Sequence, residues 1–205
     1  MLKINDFSLF TKGEQLFSIK EMRLESGKMA VVFGNNDTGK SLFLRTIHGD
    51  YFDFKGDIYI KENPAIFYKK RKKTILIENA VHLLPQKTIW ENIIIPLPKI
   101  SSKTKEKIAD LANLAGLGEI YGTKVEKLSF SSQKFIELIR AAIQTPYLIL
   151  IDDFDNFFDE IKLIKATEIL NHALKNGTSI VATAKTKPEN FQIIYRIQNK
   201  EMVKL

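Results

Sequence analysis

Cysteine is absent from the chain and histidine occurs only three times. The first absence excludes a disulfide framework, a thiolate metal site and a cysteine nucleophile; the second argues against a histidine-rich metal cluster. Long apolar runs are missing too: none approaches the roughly twenty residues a membrane-spanning helix needs. The N-terminal MLKINDFSLF has neither the basic start nor the extended apolar core of a secretory signal. No internal repeat, low-complexity tract or long linker interrupts the chain. A folded, soluble domain in a reducing, cytosolic compartment is therefore expected, with any membrane contact peripheral or made through a partner. The 205 residues suffice for one domain with a well-buried core and at most a small second lobe. A composition of 44% hydrophobic and 27% charged residues is ordinary for such a domain.

The net charge of +7 is moderate and comes mainly from lysine. Its densest cluster, Lys69-Lys70-Arg71-Lys72-Lys73, could attract nucleic acid or an anionic membrane face. The plainer reading, adopted here, is the solvated turn of a hairpin between Ile66-Phe67-Tyr68 and Thr74-Ile75-Leu76-Ile77.

Hydrophobic periodicity divides the chain into three stretches. Strands are expected over Leu2 to Phe7, Leu16 to Leu24 and Lys28 to Phe33, the last a continuous apolar run suited to burial on both faces. A helix from Gly39 to about His48 follows, then short strands over Gly56 to Ile60, Ala65 to Tyr68 and Thr74 to Ile77. From Thr88 to about Leu128 the pattern turns helical. Ser101 or Ser102 is placed to cap a helix whose Ile108, Leu111, Ala112 and Ala115 share a face, with Gly116 as its stop. Another helix starts around Ser131, with Phe135, Leu138, Ile139, Ala142 and Ile143 as its apolar stripe and Pro146 as its end. The remainder reads as a strand over Tyr147 to Ile151, a helix over Asp159 to Lys175, a strand over Thr178 to Thr183, and two short strands around Gln192 to Arg196 and Glu201 to Lys204. This order implies a parallel α/β core with a helical insertion at roughly 88–135, the whole of 1–205 forming one domain.

Between the third strand and the first helix stand Gly34-Asn35-Asn36-Asp37-Thr38-Gly39-Lys40-Ser41. This is the phosphate-binding-loop spacing, glycine and then glycine-lysine-serine after four residues. Glycines let backbone N–H groups turn inward around phosphate oxygens, and the following helix presents its N-terminal dipole. Lys40 would reach the β- and γ-phosphates and Ser41 would take one Mg²⁺ position. Such a site also needs a carboxylate that holds Mg²⁺ through water at the end of a neighbouring strand. Asp152, after the apolar run Tyr147 to Ile151, is placed to supply it; the competing reading is a helix cap.

These elements flank LSFSSQKFIELIRAA, residues 128–142. The whole arrangement resembles the ATP-binding subunit of ABC-type systems, whose signature is LSGGQ or LSGGEQQR followed by a helix with an Arg-Ala pair. Leu128, Ser129, Gln133, Arg140 and Ala141 keep that pattern. Within the family, NAVHLLPQKTIWENIIIPL (residues 79–97) is most similar to the FtsE, MacB and LolD branch, through Leu83-Leu84-Pro85, Thr88 and Glu91-Asn92. The resemblance implies a P-loop NTPase core with an antiparallel β subdomain and a helical subdomain, and it implies ATP and Mg²⁺ as ligands.

Several functional positions of the family arrive altered. Gly34 to Ser41 is intact, followed by Leu42 where a threonine is common. Asp152 matches the Mg²⁺-associated aspartate. Asp153 stands where a glutamate polarises the attacking water, and Asn79 where a glutamine senses Mg²⁺ and couples to the membrane partner. Asp159 is retained from the loop that ends SALD. Ala184 replaces the switch histidine, and Phe130 and Ser131 replace both signature glycines. Phe10 is nearest to the adenine-stacking aromatic. In the family, two subunits meet head to tail, so that Ser129, Phe130, Ser131 and Gln133 would face ATP bound to a partner's P-loop. Phe130 brings bulk to that approach, unless it points into the helical lobe, and Ser131 could cap its helix. Slow hydrolysis is the expectation. The resemblance further implies a homodimer, or a heterodimer with another ABC ATPase subunit, docked on an FtsX-like integral-membrane permease at the inner face of the membrane. Docking is expected near Asn79, with Ile89, Trp90 and Ile93 as contacts or as ordinary core. Nucleic acid is not the expected partner.

Overall fold

The fold is taken from a computed structural model that describes residues 1–187 and 191–205. One mixed sheet of ten strands runs through it. The strands are β1 (Leu2–Thr11), β2 (Glu14–Leu24), β3 (Met29–Phe33), β4 (Phe54–Ile60), β5 (Asn63–Pro64), β6 (Thr74–Ile77), β7 (Leu148–Ile151), β8 (Ser179–Ala184), β9 (Ile193–Gln198) and β10 (Glu201–Lys204). Their order is β5-β4-β1-β2-β10-β9-β3-β8-β7-β6. From β9 through β3, β8 and β7 to β6 the strands are parallel, while β5, β4, β1 and β2 form an antiparallel half. The C-terminal hairpin joins the halves: β10 pairs antiparallel with β9 and touches β2 in parallel register.

The helices are α1 (Lys40–His48), α2 (Ala65–Lys69), α3 (Ile89–Ile94), α4 (Ser102–Leu114), α5 (Phe130–Ile143) and α6 (Glu160–Lys175). The parallel strands carry core on both faces, which explains their unbroken apolar runs. Met29, Val31, Ile149, Ile151, Ile180 and Ala182 face the buried stripes of α3, α4, α5 and α6. Ala30, Val32, Leu148, Leu150 and Val181 face α1 and the β1–β2 layer.

Local chemistry explains most element ends. Ser101 caps α4, accepting from the Thr104 N–H at 3.1 Å. Thr88 and Glu91 form a complete capping box at α3. Those hydrogen bonds, together with one from the Lys87 ammonium, hold the Glu91 carboxyl down at about 2, from an ordinary 4.5. A folded-state value below the unfolded one means that the box stabilises above 4.5 and loses its effect as pH falls through about 2. A carboxyl chemical-shift titration of Glu91 is thus expected to give a midpoint near 2; a midpoint near 4.5 would show the box unformed.

Two expectations need correction. Residues Ala65 to Tyr68 are helical, not a strand, so no hairpin carries the basic cluster. Burial falls on Ala65 and Tyr68, three residues apart, while Ile66 and Phe67 are exposed, which is helical spacing. Pro64 supplies the restricted backbone at the entry to this helix. The basic residues run from the last residue of α2 through the turn before β6; Lys69 pairs with Asp50, and Arg71 lies 3.6 Å over the Phe67 ring. Secondly, α5 starts at Phe130, close to the expected place, but Ser129 rather than Ser131 is its cap, accepting from the Ser132 N–H at 3.3 Å. The two alternatives left open for Ile89 and Ile93 resolve in favour of core, since both are fully buried. Trp90 packs edge-on against Tyr121 at 5.9 Å.

Candidate functional site

Residues 34–39 link the end of β3 to the start of α1 at the carboxyl edge of the parallel strands, where open α/β sheets place their ligands. Gly39 sits at φ 93°, a conformation that favours glycine, and a Cβ there would also press on Leu16 Cδ1 at 2.9 Å. The Thr38 hydroxyl donates to the Asn35 carbonyl at 2.9 Å, closing the loop on itself. Asn35, Asn36, Asp37 and Ser41 are exposed, Leu42 is half-buried and Lys40 is buried. The Lys40 ammonium donates to the Gly34 and Asn35 carbonyls, both at 2.8 Å. Burial lowers its pKa, and the charges of Asp153, Asp152 and Asp155 partly oppose that shift. Alongside lies a cleft of about 480 Å³, lined by Thr11, Leu16 and Asp153 as well as by residues of the loop and of α1.

Asp152 follows β7 directly and is 7% exposed. Its Oδ1 accepts from the Thr183 hydroxyl at 2.8 Å. The same Thr183 oxygen accepts the Asp153 N–H at 2.8 Å. Thr183 therefore aligns the Asp152 carboxylate and holds the backbone of Asp153, a role that the sequence did not assign it. The only signal was a hydroxyl within the run Ile180 to Ala184. A helix cap does not account for Asp152, since Asp153 occupies the position before the short turn of Phe154–Asn156. Asp153 has a left-handed backbone, φ 48°, and its Oδ2 accepts from Asn79 Nδ2 at 3.2 Å. The structure thus brings Lys40, Asp152, Asp153 and Asn79 together at the mouth of the loop.

Other positions lie differently. Ala184 is the last residue of β8, paired with Phe33 and 3% exposed, so this position belongs to the core. Asp155 Oδ2 accepts the N–H groups of Lys185 at 2.9 Å and Thr186 at 3.3 Å, tying the loop after β7 to the end of β8. Asp159 caps α6. Phe10 is half-buried in β1, with Lys55 Nζ 5.4 Å from its ring centroid. At the start of α5, Ser129 to Ser131 have no positive φ, so neither serine nor phenylalanine strains the backbone there. Phe130 is 47% exposed; its ring lies edge-on to Phe157 at 6.1 Å. Gln133 turns back to donate to the Leu128 and Val125 carbonyls at 3.0 and 3.2 Å.

The donor set fits a Mg²⁺–nucleoside triphosphate. A glycine-bounded cradle carries a desolvated ammonium, a serine hydroxyl opens on the same cleft, and a buried, aligned carboxylate lies beside them.

Comparison with known proteins agrees with this geometry. The chain is 25% identical over 177 residues to the "Methionine import ATP-binding protein MetN 1" of Acinetobacter baylyi, covering 80% of this chain and 48% of that protein. It is 29% identical over 170 residues to the "Uncharacterized ABC transporter ATP-binding protein YybJ" of Bacillus subtilis, covering 80% and 76%. It is 27% identical over 185 residues to the "Zinc import ATP-binding protein ZnuC" of Wolbachia pipientis, covering 90% and 73%. The chain thus spans about half the length of the first of these and about three quarters of the other two. In fold it is similar to an ATP-binding subunit of an ABC transporter, with a TM-score of 0.84 at 16% identity, covering 100% of this chain and 90% of that one. It is also similar to cbiO1 of Clostridium perfringens, with a TM-score of 0.82 at 14% identity, covering 98% and 86%. The family model described as ABC transporter matches residues 18–156, and the chain belongs to that family.

Proposed function

We propose that the chain is the nucleotide-binding subunit of an FtsE-like, membrane-associated ABC assembly, one that holds Mg-ATP firmly and hydrolyses it slowly. The observation that carries this reading is Lys40, desolvated and held between two loop carbonyls beside the charges of Asp152 and Asp153. Residues 1–205 act as one domain, with a helical subdomain over about 88–135. The backbone of residues 34–39 and the Lys40 ammonium bind the phosphates, Ser41 and Asp152 hold Mg²⁺, Leu42 follows at the wall, and Asn79 completes the metal's surroundings. Mg²⁺ supplies charge neutralisation across the phosphates when bound. Asp153 is the group placed to orient water, and its short side chain is the reason for slow turnover. Burial of Ala184 supports the same conclusion, because a buried methyl at that position offers no polar group to a γ-phosphate.

Ser129, Phe130, Ser131 and Gln133 meet the nucleotide of a second ABC subunit, in a homodimer or a heterodimer. The exposed Phe130 ring lies on that approach and limits closure. No helix among the described residues is long and apolar enough to cross a membrane, so a separate FtsX-like permease is the proposed anchor at the inner, cytoplasmic face.

Calorimetry and single-turnover kinetics test the reading together. Wild-type protein is expected to bind Mg-ATP, and Lys40→Ala to bind it at least about tenfold more weakly, the loss of one charge-assisted contact of about 1.4 kcal/mol or more. Hydrolysis is expected to stay well below the usual enzyme range of about 1–10³ s⁻¹. Equal binding by both proteins would remove the P-loop assignment; ordinary turnover would remove the impaired-catalysis half.

A further inference from the structure

The segment that carries Asn79 is fastened from one side by charged side chains of α5. Lys134 is fully buried, and its ammonium lies 2.8 Å from Glu137 Oε2, itself only 3% exposed. The same ammonium donates to the Glu78 carbonyl and, at 3.0 Å, to the Ala80 carbonyl, the two that flank Asn79. Glu137 Oε1 accepts the His82 N–H at 2.6 Å, and Arg140 Nη2 donates to the His82 carbonyl at 2.7 Å. Four backbone groups of residues 78–82 are thus held by three side chains one helical turn apart. On the far side, the Glu78 carboxylate pairs with Arg45 of α1 at 2.6 Å. Between these holds, the Asn79 amide reaches Asp153.

Stability alone does not call for this arrangement. A buried ion pair is matched or exceeded in stability by apolar residues of similar volume, because desolvation cancels much of the Coulomb attraction. What apolar residues cannot supply is direction: hydrogen bonds that fix where particular carbonyls and N–H groups lie. The phenyl ring of Phe157, 4.5 Å from the Lys134 ammonium, closes the pocket from the loop that follows Asp153.

We infer that Lys134, Glu137 and Arg140 are positioning residues: they hold residues 78–82 so that Asn79 meets Asp153, and they make that contact move with α5. The helix capped by Ser129 and the Asn79–Asp153 contact are then one mechanical unit. A displacement of the start of α5 is felt at Asp153 through Lys134. This inference rests on the nucleotide-site reading for its consequence, and on the side-chain geometry alone for its mechanics.

The test compares full-length wild type with Lys134→Met/Glu137→Leu, which removes both charges of the buried pair and leaves Arg140 its hydrogen bond to the His82 carbonyl, and with Lys134→Arg, which keeps a donor. Hydrogen exchange at the amides of 78–82 is expected to speed up about tenfold or more in the double variant while α5 stays protected, and to return towards wild type in Lys134→Arg. Mg-ATP affinity is expected to fall about tenfold in the double variant and by a similar factor in Asn79→Ala. Combining the two should weaken it no further, since both remove the same contact. Unchanged exchange at 78–82 overturns the inference whatever the nucleotide does. Faster exchange with losses that multiply overturns it too, because the clamp would then act on stability rather than on Asn79. Absence of Mg-ATP binding by wild type overturns the nucleotide reading together with this consequence, and the exchange result distinguishes that failure from failure of the clamp.

Discussion

Asp153→Glu is expected to raise the single-turnover rate of ATP hydrolysis by up to about a hundredfold, with the affinity for Mg-ATP little changed. On the proposed reading the carboxylate at position 153, which lines the cleft beside Lys40, carries the right charge on too short a side chain. One added carbon–carbon bond moves the carboxylate by about 1.5 Å. A misplacement of about 1 Å in a reacting group costs about a hundredfold in rate, and restoring reach recovers up to that factor. Asp153 is fixed from behind: its N–H is held by Thr183 and its left-handed backbone is set by the turn that follows. The longer side chain therefore extends into the cleft instead of relaxing the backbone. Asn79 now meets the shorter carboxylate at 3.2 Å and would have to yield or follow. Quenched-flow measurement of one turnover, with binding measured separately, is the check. An unchanged rate at unchanged affinity would place the defect elsewhere.

Placing a histidine at position 184 is not an equivalent experiment. Ala184 is 3% exposed and packs with Phe33, Ile151 and Ala182 in the core. An imidazole there has to displace core side chains, and overpacking of that kind costs about 1–3 kcal/mol. The two altered positions differ in kind: one is a short lever in an open cleft, the other a strand residue the sheet has absorbed. Ala184→His is expected to lower the midpoint of thermal unfolding rather than to raise turnover.

Some of this was legible in the sequence and some was not, and the division has physical causes. The run Met29–Phe33 followed by Gly34 to Ser41 identified strand, loop and helix because each signal is local: an apolar run, glycines at fixed spacing, a helix start. Thr74–Ile77 and Glu201–Lys204 emerged with the bounds the pattern gave. Ala65 to Tyr68 was misread because four apolar residues in a row satisfy a strand and a helix turn alike. Only the burial of Ala65 with Tyr68 decides between them. Ser129 and Ser131 are equally able to cap, and the extended backbone at Leu128 and Ser129 selects the first. Thr183, Lys134 and Glu137 could not be assigned from their neighbours. Thr183 acts on residues thirty positions away, and the α5 pair on a loop more than fifty positions away that has no periodicity of its own. Charged residues on a helix read as a solvated face until the element that covers them is known.

Phe43→Ala is expected to destabilise the protein by about 3–5 kcal/mol, the usual cost of emptying a buried aromatic site. Phe43 lies on α1, four residues after Gly39, and is fully buried. Its ring meets Phe7 edge-on at 5.5 Å and Phe17 at 5.6 Å, while Phe7 also stacks on Phe54 at 5.7 Å. These four rings join α1 to β1, β2 and β4, the antiparallel half of the sheet, so the cavity opens where the two halves meet. Neighbouring rings are held by strands on both sides and collapse only partly, which keeps the cost near the upper part of that range. Native stability is commonly about 5–15 kcal/mol, so a single change of this size removes a large share of it. The same helix begins at Lys40, and the Phe43 N–H donates to the Gly39 carbonyl at 2.8 Å, so loosening the first turn loosens the phosphate loop. Denaturant unfolding should therefore show a lowered midpoint with an unchanged slope, and saturating Mg-ATP should recover more stability as ligand concentration rises. A variant as stable as wild type would mean that the aromatic cluster repacks, and that the P-loop helix is held by its neighbours in the parallel sheet instead.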